Sequence, residues 1–229
     1  MDQTAQRLVA AAAVLASLVF AGIAFARTFG AATGTRAAPA GAYWSPGQLT
    51  ASQRAADLRF APGFPAADRA WVLGALRRAR PEARELIDAL DGFVTVEEHR
   101  GGFPAWTQGT SGGFVVSFDP VQVDARGAAL RDRIVLHELG HVVDFGLVPD
   151  DLAAKLDAEI PRAGACVALD GPYGSCAPRP ERFAETFAKW ALFGRGANLD
   201  SGYQVEMPRS VEDWGAPLGA LAAQLAAGA

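Results

Sequence analysis

The chain has 229 residues and a net charge of −4, with 50% apolar and 20% charged residues. That balance suits a globular protein and excludes a polar, disordered one. No basic stripe interleaved with aromatic residues occurs, which argues against nucleic acid as a partner.

Residues 8–26 carry no charge and are flanked by Arg7 and Arg27. The run is long enough to cross a bilayer, and Ala24-Phe25-Ala26 has the Ala-x-Ala form of a cleavage site. Residues 1–26 are therefore expected to be a signal peptide or a membrane anchor, and the sequence leaves both open. Either places the rest of the chain outside the cytoplasm, secreted or anchored at the outer face. The membrane would be touched only through this segment, if it is uncleaved. Residues 27–48, rich in Ala, Gly, Thr and Pro without periodicity, read as a linker. Residues 49–229 are then the folded domain.

Within that domain Thr50 is expected to cap a short helix over 51–59. Apolar spacing at Trp71, Leu73, Leu76 and Ala79 predicts a helix over 66–79. Pro81 opens a further helix to Leu90, ended by Asp91-Gly92. Strands are expected at 93–96 and 113–118, with a short third strand at 121–123 and an irregular, Gly-rich stretch over 99–112. A long helix over 127–145 follows, then one over 149–159 and a loop over 162–178. Helices over 180–192 and 211–227 complete the chain, the last interrupted near Pro217. Helices, then a few strands, then helices indicate an α+β fold.

Two cysteines, Cys166 and Cys176, allow one pairing. An exported chain is expected to form that disulfide.

Residues 137–141 read His-Glu-Leu-Gly-His. A helix turns once in about 3.6 residues, so His137 and His141 leave one face and can share a zinc ion. Glu138 stands one step around the helix, placed to act as a general base rather than a ligand. Ile134, Val135, Leu136, Val142 and Val143 make the helix apolar and hence buried. The chain has three histidines, and a buried helix bearing two of them beside a glutamate needs partners for those groups. The HExxHxxGxxH extension is absent, since Asp144 and Leu147 occupy its last two places. A third ligand is still required. His99 is a remote candidate and otherwise a surface residue. The stronger candidates are Glu181 and Glu185, on one face of a helix built around Phe183, Phe187 and Trp190. One can bind the metal while the other accepts a hydrogen bond from a ligating imidazole. Asp144 could orient a ligand or pair with an arginine.

The segments HELGHVVDF and ERFAETFAKW, with a Tyr-Gly pair between them, resemble the gluzincins, zinc peptidases whose third ligand is a glutamate on a second helix. The likeness is greatest to the lethal-factor-type and minigluzincin domains and covers roughly residues 113–192. It implies a zincin-like fold and one Zn2+ per chain held by His137, His141 and Glu181. It also implies Glu138 as base, Glu185 supporting a ligand, and Tyr173 as donor to the oxyanion, with Tyr203 as the second candidate. It further implies that 113–118 is the edge strand along which substrate lies. The cysteine pair departs from the family pattern. The resulting expectation is an extracytoplasmic metallopeptidase acting on peptides or proteins. Two other functions share these residues: a non-catalytic extracellular binding module that keeps zinc for structure, and a zinc amidase acting on cell-wall peptides.

Overall fold

The computed structural model describes residues 58–161, 177–195 and 205–228, all of which lie within the compact unit Trp44–Ala229. The proposed signal or anchor, the linker, Cys166, Cys176, Tyr173 and Tyr203 lie outside the described residues. No helix among the described residues is long and apolar enough to cross a membrane.

The fold is α+β, mainly helical with a four-stranded sheet. A two-residue strand, β1 (Arg59–Phe60), occupies the end of the predicted 51–59 helix and pairs parallel with β2. Helix α1 (Ala66–Arg78) carries Asp68 in its first turn, where the carboxylate accepts the Trp71 indole N–H at 3.0 Å. Helix α2 (Pro81–Asp88) starts on its proline, whose missing N–H is unneeded there. The chain then turns through Gly92 into β2 (Val94–Glu98), whose Val94 and Val96 enter the core.

The stretch expected to be irregular contains a strand, β3 (Ala105–Thr110). It forms a hairpin with β4 (Gly113–Phe118), Thr110 facing Gly113 across the turn. Gly113 has φ +137°, and a Cβ there would lie 2.1 Å from the Phe93 carbonyl oxygen, so only glycine fits. The sheet order is β1-β2-β4-β3, with β3 alone antiparallel to its neighbour. This corrects the placement of 113–118 at the edge: β4 is bonded on both sides, and β3 holds the edge.

Residues 121–123 are helical, not a third strand. Helix α3 (Pro120–Asp124) is capped by Asp119, whose side chain accepts from the N–H groups of Val121 and Gln122. Helix α4 (Ala128–Gly146) is the long central helix, buried almost continuously from Asp132 to Asp144. Of the three helices that follow, α5 (Asp150–Glu159), α6 (Arg179–Ala191) and α7 (Val211–Ala227), α6 packs on the central helix, while α5 and α7 pack against α6, and α7 also against α2. Helix α7 continues through Pro217 instead of breaking there. Its Gly215 lies under the Trp190 indole, where a Cβ would come within 1.9 Å of the ring.

Helix α4 packs along α6 and also touches β3. Gly140 makes the first contact close. A Cβ on it would stand 3.1 Å from the Ala184 Cα and 3.0 Å from the Phe187 ring. The glycine inside His-Glu-Leu-Gly-His therefore sets how near the two helices lie.

Candidate metal centre

Close packing of α4 on α6 brings residues far apart in sequence to one point. His137, His141 and Glu181 are buried and present ligand atoms within 4.8 Å of one another, an arrangement that could hold a metal ion. Glu181 Oε2 lies 3.1 Å from His137 Nε2 and 3.3 Å from His141 Nε2. Four ligands at about 2.0–2.1 Å around tetrahedral zinc are about 3.3–3.4 Å apart. The carboxylate-to-imidazole distances are close to that spacing, and all three donors lie within 4.8 Å of one another. Two imidazoles and one carboxylate form a donor set that a divalent metal ion such as zinc accepts.

Charge supports the same reading. Burial opposes ionisation of Glu181, but the imidazoles of His141 and His137 overcome it and hold the carboxyl well below its usual range. Burial likewise opposes charge on His141, and Glu181 reverses the balance, raising the imidazole above its ordinary value. Taken as side chains alone, the cluster attracts a positive charge into a buried site.

Glu185, one turn along α6, serves a different neighbour. Its Oε2 is 3.2 Å from His137 Nδ1, so it can accept that N–H and turn Nε2 toward Glu181. Its other oxygen pairs with Arg133 of α4, with Lys189 Nζ at 3.8 Å. Lys189 also donates to the Val205 carbonyl. These supports were not legible in the sequence, although Arg133 stands four residues before His137 and Lys189 four after Glu185, each one helical turn away.

Glu138 projects beside the cluster. The Thr107 hydroxyl, reaching from edge strand β3, lies 2.6 Å from its Oε2 and 3.1 Å from its main-chain carbonyl. Burial raises the Glu138 carboxyl above its usual range, against the opposing pull of His137, His141 and the Thr107 hydroxyl. Thr107, like Arg133 and Lys189, belongs to this centre without a signal in the sequence that singled it out.

Asp144 pairs with an arginine, one of the two roles foreseen for it: Arg179 holds it through two bonds of 2.8 Å. That pair ties the end of α4 to the start of α6, and the Asp144 charge also acts on His141. His99 does not join the cluster. It is half-buried and stacks on Trp106, with ring centroids 6.5 Å apart. Trp106 adjoins Thr107 in β3 and so faces the opposite side of the sheet.

Comparison of the chain with models of known protein families, with curated proteins and with solved structures finds no match.

Proposed function

We propose that this protein is an extracytoplasmic zinc metallopeptidase of the gluzincin type. In this reading His137, His141 and Glu181 hold the zinc, Glu138 is the general base, and the 8–26 segment directs export. The observation that carries it is the convergence of two imidazoles and a carboxylate from separate helices within 4.8 Å of one another, with a second carboxylate, Glu138, beside them and bonded to Thr107.

Zinc, when bound, supplies Lewis acidity to a carbonyl and to water. The protein's own groups then divide the work. Glu138 takes a proton from the attacking water and returns it to the leaving nitrogen as the amide C–N bond breaks, giving a carboxylate and an amine. Its burial suits this task, because a raised carboxyl lies nearer the working pH. Glu185 orients His137. The open edge of β3 offers backbone donors and acceptors to an extended peptide.

The test is proteolysis of a labelled casein by the purified, zinc-loaded chain. Chelation should stop cleavage and added zinc should restore it. Glu138→Gln should keep the metal and lose activity by roughly 100-fold or more. Full activity in that variant would overturn the assignment of the base.

A further inference from the structure

We propose that Thr107 is a positioning residue for Glu138, binding one carboxylate oxygen from the edge strand and thereby reserving the other for proton exchange. The inference rests on the reading of Glu138 as base.

Thr107 is the buried position of β3, and its neighbours Trp106 and Gln108 are exposed. Strand alternation turns its side chain inward, toward α4. A threonine hydroxyl has a single proton to donate. Two acceptors lie in reach: Glu138 Oε2 at 2.6 Å and the Glu138 carbonyl at 3.1 Å. The carboxylate is the nearer, and a charged acceptor makes the stronger bond, so it takes the proton. The bond engages Oε2 and leaves Oε1 outside it, and Oε1 is the oxygen this proposal assigns to water.

The consequence is geometric. A glutamate has three side-chain torsions, and a base that swings among rotamers spends less time in proton-transfer reach. The hydroxyl fixes the carboxylate plane relative to both helix and strand. Any peptide held on β3 and the base that serves it then share one frame.

Thr107→Val keeps the β-branch, the volume and the strand propensity while deleting the hydroxyl. Thr107→Ser restores it. On zinc-loaded protein with labelled casein, Thr107→Val should lower kcat roughly 10- to 100-fold with KM little changed, and Thr107→Ser should recover most of the loss. Zinc content should equal that of wild type throughout. A second readout does not need turnover: calorimetric affinity for acetohydroxamic acid, a chelating acid whose proton passes to a neighbouring base. Thr107→Val should weaken it in the same direction as Glu138→Gln, and Thr107→Ser should not. If Thr107→Val matches wild type in both readouts, the inference is overturned while the peptidase reading stands. If wild type cleaves nothing but the hydroxamate affinities follow the predicted order, the peptidase reading fails and the positioning role survives.

Discussion

Glu181 and Glu185 are the same residue one helical turn apart on α6, both buried, yet their surroundings differ in kind. Glu185 faces Arg133 and Lys189, cations that the protein itself supplies. Glu181 faces only imidazoles among the described residues. The first carboxylate is balanced within the protein. The second is balanced only if an imidazole takes a proton or a metal ion enters. A buried charge without a counter-charge is costly, so the contrast supports the proposal of Glu181 as the oxygen ligand and Glu185 as its support.

Neutralising each carboxylate in turn sharpens the contrast. Glu185→Gln removes the carboxylate that faces Arg133 and Lys189, whose side chains are 1% and 3% exposed. It should destabilise the metal-free protein by about 3–5 kcal/mol in chemical denaturation, and weaken zinc about 10- to 100-fold through His137. Glu181→Gln at pH 8 should cost the metal-free protein about 1 kcal/mol or less, yet weaken zinc by more than about 100-fold, beyond the loss of a supporting group. The reverse ranking would exchange their roles.

Gly140→Ala probes the helix contact on which both depend. Its methyl meets the Ala184 backbone and the Phe187 ring. Overpacking should cost about 1–3 kcal/mol, of which about 1 is returned by the better helix propensity of alanine. Chelator competition should show weaker zinc binding as His141 and Glu181 are pushed apart. Unchanged affinity would mean the contact absorbs the methyl without moving the ligands.

Acid separates the two ways of balancing Glu181. His141 titrates above its ordinary value because of Glu181. In the metal-free protein that stabilisation is fully present below the unfolded value of about 6.5, and is lost as pH rises through the raised folded value. Zinc needs the neutral ring, so its affinity falls as pH drops through the same range. The rise in Tm on adding zinc should therefore be larger at pH 8 than at pH 6. An equal rise at both would remove His141 from the ligand set.

Asp119 completes the series as a carboxylate satisfied by N–H donors alone. Gly101 N–H, the Gln122 side chain and the Gln122 and Val121 amides hold it at about 2. Its contribution is complete above the unfolded value of about 3.9 and is lost as pH falls through 2. Asp119→Ala should lower the Tm at neutral pH and less so near pH 2, with no change in zinc affinity.

The sequence carried the parts of the centre that helical spacing encodes. His137 and His141 at one turn, and Glu181 and Glu185 at another, needed only the 3.6-residue period. Pro81 and the apolar runs placed α1, α2, α4 and α6 within a residue or two. What failed was the sheet edge. β3 is polar and Gly-containing because only Thr107 is buried, so it lacks the apolar run that identified β4. The Ser111-Gly112 pair before Gly113 was the turn signal that could have revealed the hairpin. Asp119-Pro120, an aspartate followed by proline, is a helix-start signal ahead of the stretch expected as a third strand. With β3 unseen, Thr107 could not be connected to Glu138. The ranking of Glu181 over Glu185 also lay beyond periodicity, because it depends on Arg133, which only the packing of α4 on α6 brings opposite.

The central claim, that His137, His141 and Glu181 jointly hold one zinc, is tested most directly by metal analysis with X-ray absorption at the zinc edge. The account predicts one zinc per chain, surrounded by nitrogen and oxygen at about 2.0–2.1 Å. Absence of bound metal in protein purified with zinc, or a sulfur shell at about 2.3 Å, would contradict it.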